Sequence, residues 1–285
     1  MQRMNFLPGN TLLTRAPTER KGIIYAVFVL ENQPKCSLAD ALYRTPAGEL
    51  LKVKDYIDRV LRSFQPKERA LIFCLSRWEA EDVAHTLKCR YYHAKLDARQ
   101  KQANLDSWRE GGDSEVPVLA TTSALGAGFD YGEVKLVLHH GKPRNIIDFS
   151  QESGRSGRGL PVAYSTVFWN PNRKDEKLSL DQDPIGVEAM TAYVQTNQCR
   201  RICLGRNLDG ASDTGKCLQD GEAVLCDVCE AEGMKVPIVS ELELLIMLGI
   251  GMLIVFLLSS LLKMSAAFLL SKLSLPPALQ NGFLA

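Results

Sequence analysis

VPVLATTSALGAGFDYGEVKLVLHHG, residues 116–141, decides the fold. Two apolar runs, VPVLATT (116–122) and EVKLVLHHG (133–141), flank a loop of small residues with three glycines. The runs are apolar on both faces, which fits strands of a buried parallel sheet rather than a half-exposed antiparallel one. Moving outward, GIIYAVFVL (22–30), ALIFCL (70–75) and AYSTVFW (163–169) have the same texture. Between them, ELLKVKDYIDRVLRSF (49–64), RWEAEDVAHTLK (77–88) and ARQKQANLDSWRE (98–110) space their apolar residues helically. Strand and helix in alternation predict an α/β fold with right-handed crossovers, whose ligands bind beyond the carboxyl ends of the strands.

The 285 residues are 46% hydrophobic and 24% charged, enough apolar material for a core and too much for a wholly disordered chain. A net charge of +1 excludes a global basic field, so any nucleic-acid site must be a local patch. The opening MQRMNFLPGNTLL lacks the apolar stretch of a secretory signal. Eight cysteines are too sparse for a disulfide scaffold, yet five fall between Cys199 and Cys229, which reads as a metal site. The expected organisation is an arm over 1–21, an α/β lobe over 22–180, a small cysteine-bearing helical subdomain over 181–232, and an apolar helix over 242–262.

Chemistry is expected in two loops. In TTSALGAGFDYGEV (121–134) small residues admit a ligand close to the backbone, and Asp130 adds a carboxylate. GKPRNIIDFSQESGRSGRG (141–159) places Gln151, Arg155 and Arg158 at spacings of four and three, one face of a helical turn. Lys142 to Arg158 holds four basic residues against two acidic ones, a local positive patch. Two arginines among small residues suit a phosphate, which a guanidinium can grip with two hydrogen bonds. The adjacent His139 and His140 point to opposite faces of their strand, one expected in the core and one at the surface.

The order of these blocks resembles a known family. SALGAGFD followed by QESGRSGRG resembles motifs V and VI of superfamily 2 helicases, most closely the RecQ-like group. ALIFCLSRWEAEDVAHTL with YYHAKL resembles the family's motif IV region, and LDSWREGG precedes motif V as it does there. CRR (199–201) and CDVC (226–229) resemble the ends of the RecQ zinc-binding subdomain. The resemblance covers roughly residues 15–230 and implies a second RecA-like lobe plus that subdomain, from an ATP-dependent 3′–5′ DNA helicase of recombination and repair. It implies that Gly128, Asp130 and Gln151 bind ATP, with Asp130 at the ribose. Arg158 would be the arginine finger, and Arg155 and Gln151 would meet the γ-phosphate or couple it to DNA. Ser76, Arg77, Thr121, Thr122 and Ser123 would hold the DNA backbone.

Two elements of such a motor are missing from the sequence. GASDTGKC (210–217) is a near match to the phosphate cradle, but it ends in Cys and no apolar strand precedes it. No D-E-x-H or D-E-x-D occurs, and Asp175-Glu176 sits in the polar NRKDEK. The resemblance therefore implies ATP and Mg²⁺ shared with a first lobe, supplied in trans or from a longer gene product, and no turnover alone. A non-enzymatic nucleic-acid-binding module derived from a helicase is the rival, and retention of both arginines argues against it. A helicase of RNA is a third reading, against which the zinc module weighs.

Cys226-Asp-Val-Cys229 is a C-x₂-C knuckle for one tetrahedral Zn²⁺. Resemblance to the family's C-R-R favours Cys199, with Cys217 the remaining ligand, while Cys203, one helical turn after Cys199, competes. LLIMLGIGMLIVFLLSSLL (244–262) is nineteen residues without a charge, long enough to span a bilayer. It reads equally as a membrane anchor or as a departure from the family after Glu232. The thiolates and the nucleic-acid reading place the rest of the chain in a reducing, nucleic-acid-associated compartment such as the nucleus.

Overall fold

Every residue of strand β2 (Arg69–Cys74) is buried, as a strand covered on both faces must be. In the computed structural model, which describes residues 20–30, 47–111, 116–125, 129–173, 183–210, 216–217 and 223–233, β2 lies inside a six-stranded sheet. Its neighbours are β4 (Val118–Thr121) and β5 (Val134–His140). Beyond β4 lies β3 (Arg90–Tyr92), and beyond β5 lie β6 (Ala163–Trp169) and the edge strand β1 (Ile23–Val29). All of the pairings are parallel, in the order β1-β6-β5-β2-β4-β3. The expected α/β class and each of the expected strands are present.

Helices cover both faces. On one, α1 (Ala47–Leu61) and α2 (Arg77–Leu87) seat Leu50, Val53, Ile57 and Val83 on Ala70, Ile72, Leu136 and Leu138. On the other, α3 (Ala98–Glu110) buries Trp108 against Leu71, Leu119 and Val137. The rest of that face is covered by α4 (Ile146–Ser153), α5 (Pro184–Gln195), α6 (Arg200–Leu208) and α7 (Asp227–Gly233). Phe149, Met190, Tyr193 and Leu204 from these helices share one cluster with Ile23, Tyr25 and Val167 of β1 and β6. The described residues of 183–233 therefore share the sheet's core, and the described residues form one compact unit. Helix starts are capped by side chains at Ser76, Asp97, Asn145 and Asp183, each accepting a hydrogen bond from the first turn. The apolar run 244–262 lies outside the described residues, among which no helix is long and apolar enough to cross a membrane.

The histidine pair departs from expectation. His139 and His140 are only 2% and 1% exposed, because helices cover both faces of β5 and opposite sides of the strand are equally dry. His139 Nε2 lies 3.0 Å from Glu152 Oε2, and its ring stacks on Phe73. His140 lies 3.8 Å from Glu49 and 3.9 Å from Glu79. Burial pushes the His140 pKa below its ordinary value, against the opposing pull of Glu49 and Asp82. The unfolded chain then takes up this proton first, so stability falls as pH drops below about 6.5. In His140→Gln the melting temperature between pH 7 and pH 5 should fall less steeply than in the parent chain; an identical slope would show that His140 binds its proton equally in the folded and unfolded states.

Candidate functional site

Helix α4 runs back along the sheet after β5, so its last turn arrives at the amino ends of β5 and β6. The turn that follows is fastened there: Gly157 N donates to Val134 O at 3.0 Å, and Gly159 N to Gly132 O at 2.8 Å. Gly157 has φ +67°, and a Cβ in its place would meet the Ala163 Cβ at 3.2 Å, so glycine is required between the two arginines. Arg155 Nη1 donates to Phe129 O at 3.2 Å, and Arg158 Nη1 lies 2.6 Å from Asp130 Oδ1. With Ser150, Gln151 and Gly154 these residues line an open cleft of about 440 Å³. Burial first, and then the like charge of Arg158, push the Arg155 pKa down. Two guanidiniums held this close suit an anion, which would relieve their repulsion.

The structure thus brings together Asp130, Gln151, Arg155 and Arg158, and corrects where they meet. They gather at the amino ends of β5 and β6, not beyond the carboxyl ends, because it is the far end of the crossover helix that carries them. Gly128 lies outside the described residues.

The second group does sit at the carboxyl ends. Ser76 caps α2, its hydroxyl accepting from Glu79 N at 3.3 Å, and exposed Arg77 follows it. Thr122 and Ser123 leave the end of β4, Ser123 exposed and the Thr122 hydroxyl accepting from Ala124 N at 3.3 Å. Thr121 differs: it is fully buried, and its hydroxyl donates inward to Thr122 O at 2.9 Å. It is the last paired residue of β4, between Phe73 and Tyr92, and its hydroxyl is shielded from solvent. Sequence reasoning missed Arg144, exposed at the start of α4, whose Nη2 donates to Leu75 O at 3.2 Å. It shares a small cleft with Leu75, Ser123, Asp148 and Glu152.

Four thiols form the third group. The sulfurs of Cys199, Cys217, Cys226 and Cys229 all lie within 4.8 Å of one another, and all four residues are buried and free of disulfides. Cys203 stands outside this group, its sulfur accepting from Asn207 Nδ2 at 3.7 Å. Hydrogen bonds from Cys217 and Cys226 hold Cys199 far below the usual thiol range, favouring a thiolate there.

Two arginines beside Cys199 proved to be structural. Arg200 grips Asp227 with two bonds of 2.9 Å and donates to Tyr193 O at 2.7 Å. Asp227, inside the C-x₂-C knuckle, also accepts from Val27 N of the edge strand at 2.9 Å. Arg201 donates to the carbonyls of Arg20, Lys21, Ile23 and Val224 at 2.6–3.2 Å. Arg20 in turn donates to Ser156 O at 3.1 Å, between the two cleft arginines. In the sequence the only signal for this clamp was the pair of arginines following Cys199.

Residues 52–159 match the model of the helicase conserved C-terminal domain. The putative ATP-dependent DNA helicase Q1 of Caenorhabditis briggsae is 29% identical over 219 residues, 73% of this chain and 34% of that protein. Over these residues the chain is similar to the helicase C-terminal domain and to RecQ-like DNA helicases. The ATP-dependent DNA helicase RecQ of Pasteurella multocida is 26% identical over 180 residues, 58% of the chain and 27% of that protein. The ATP-dependent DNA helicase hus2/rqh1 of Schizosaccharomyces pombe is 34% identical over 109 residues, 36% of the chain and 8% of that protein. The chain thus spans about a third of the Q1 relative's length and less of the other two.

The clamp makes a stability prediction. Arg201→Met leaves buried carbonyls without their donor and should cost about 3 kcal/mol, measured by urea denaturation. A loss under about 1 kcal/mol would show that water or a neighbouring donor takes over these carbonyls.

Proposed function

We propose that this lobe completes the ATP site of a RecQ-like 3′–5′ DNA helicase and holds the DNA backbone, working with a first RecA-like lobe supplied in trans or by a longer product. The observation that carries this reading is the cleft where Asp130, Gln151, Arg155 and Arg158 converge. Both members of the Asp130–Arg158 ion pair are well exposed, so the pair is weakly held and each partner can be exchanged for a ligand group. Asp130 would take the ribose hydroxyls of ATP, and Arg158 would turn onto the charge developing at the transferred phosphoryl group. Arg155 and Gln151, fixed on the same turn, would hold the γ-phosphate and sense its loss. Bound Mg²⁺ would neutralise phosphate charge from the first lobe's side.

At the carboxyl ends, Ser76, Arg77, Thr122 and Ser123 would contact phosphates, which positions the strand without reading its sequence. Thr121 would serve only to shape the end of β4.

The four thiols would hold one structural Zn²⁺. A tetrahedron with zinc–sulfur bonds of ~2.3 Å sets the sulfurs roughly 3.8 Å apart, and the Cys199–Cys217 and Cys199–Cys226 separations are 3.5 and 3.9 Å. Arg200, Arg201 and Asp227 tie the surrounding helices to β1, so the ion's part would be to hold the clamp. All seven described cysteines are free, which fits a reducing compartment such as the nucleus.

In a motor assembled with a first lobe, Arg158→Ala should lower DNA-stimulated ATP turnover by about 10³-fold or more while leaving DNA affinity unchanged. Undiminished turnover would remove the finger role. Chelation of zinc from the full chain should lower the melting temperature and expose the four thiols to alkylation. An unaltered melting curve would remove the metal from the structure's support.

A further inference from the structure

An indole at the carboxyl end of the sheet is left unexplained by the phosphate contacts. Trp78, on the first turn of α2, is 39% exposed, whereas Trp108 is 2% exposed and donates its Nε1–H to Ala70 O. The Arg77 guanidinium lies 4.4 Å from the centroid of the Trp78 ring, so the aromatic face is paired with a cation. The turn beneath is rigid: Glu79 donates its N–H to Ser76 and accepts from Leu75 N at 3.1 Å, and Arg173 pairs with the Glu79 carboxylate. Arg144 is tied to the same turn through Leu75 O, on the cleft it shares with Ser123. The acidic residues of that cleft are already engaged, Asp148 by Asn145 at 2.9 Å and Glu152 by His139 at 3.0 Å.

A rigid, exposed aromatic stacked with one guanidinium, with a second guanidinium tied to the turn that carries it, has the composition of a platform for single-stranded nucleic acid. There a base stacks on the ring while cations track the backbone. A duplex, whose base faces are buried in the stack, could not use the ring. We propose that Trp78 is a nucleobase-stacking residue that takes one unpaired base, with Arg77 and Arg144 on the flanking phosphates. This rests on the nucleic-acid reading above and adds to it a contact to the base itself. Stacking on an indole accepts every base, so the contact confers preference for unpaired strands without sequence choice.

The test is an equilibrium titration of the full chain with a labelled oligothymidylate of about twelve nucleotides and with an abasic strand of the same length. Trp78→Ala should bind the oligothymidylate about 5- to 100-fold more weakly than wild type. Trp78→Phe, which keeps a stacking face, should recover most of that loss. The abasic strand should bind wild type as weakly as the intact strand binds Trp78→Ala, and that variant should not distinguish the two strands. Fluorescence quenching on binding should disappear in Trp78→Phe, since the remaining indoles, Trp108 and Trp169, pack with the core. If Trp78→Ala binds as tightly as wild type, or still discriminates the abasic strand fully, stacking is overturned, the nucleic-acid reading survives, and the indole is left for a protein contact. If wild type binds neither strand at low salt, the nucleic-acid reading falls and the stacking role with it.

Discussion

An all-parallel sheet leaves neither face to water, because every crossover must lay a helix against one side or the other. That constraint arranges the rest of this lobe. It sends α4 back along β5, so the turn bearing Arg155 and Arg158 reaches the amino ends of the strands while Ser76, Ser123 and Arg144 stay at the carboxyl ends. The two groups are joined by stiff parts. β5 is tied to Gly157 at its beginning and carries His139 near its end, and His139 is held by Glu152 of α4. Strand and helix thus bind the anion cleft to the strand ends as a closed frame, and a shift at one end has no slack to disappear into.

The cysteine-bearing segment belongs to the same frame. Its helices have too few apolar residues for a core of their own, and they complete the face over β1, β6 and α4 instead. Buried arginines in such a place would be costly without acceptors, and Arg200 and the Arg201 Nη groups find them at carbonyls and one carboxylate, whereas Arg201 Nε is left without one. Arg201 collects carbonyls from either side of the chain, and Arg200 draws Asp227 of the C-x₂-C knuckle onto the edge strand. The thiols therefore sit at the point where three helices and an edge strand are fastened together.

Much of this was legible in the residues. Apolar runs of strand length and helically spaced segments are local properties, and they marked five of the six strands and helices α1, α2 and α3; β3, only three residues long, has no such run. The spacing of Gln151, Arg155 and Arg158 is likewise local, so their shared cleft followed from it. What local spacing does not carry is depth. Period-two alternation separates His139 from His140 but is silent on whether both sides are covered. Thr121 and Thr122 look alike in sequence, and only the pairing of β4 turns one inward. Nor does spacing carry long-range partners: Asp130 meets Arg158 across 28 residues, and Asp227 meets Val27 across 200. Cys203 competed with Cys199 because one helical turn separates them, and the choice is made by Asn207 and the packing of α6.

The edge position of β1 has a consequence for synthesis. Its sheet partner is β6, from Ala163 to Trp169, and its Val27 N–H is taken by Asp227, 200 residues later. On the ribosome, at about 5–20 residues per second, that interval is roughly 10–40 s. Until β6 is made the strand IIYAVFV has no sheet partner, and until Asp227 is made its Val27 N–H stays open, while β2, β4 and β5 can already pair among themselves. Of the strands described in this sheet, the one made first is thus the last to be enclosed. A nascent chain of this lobe carries an apolar, aggregation-competent ribbon until β6 emerges, which makes it a natural client for chaperones that shelter unpaired strands.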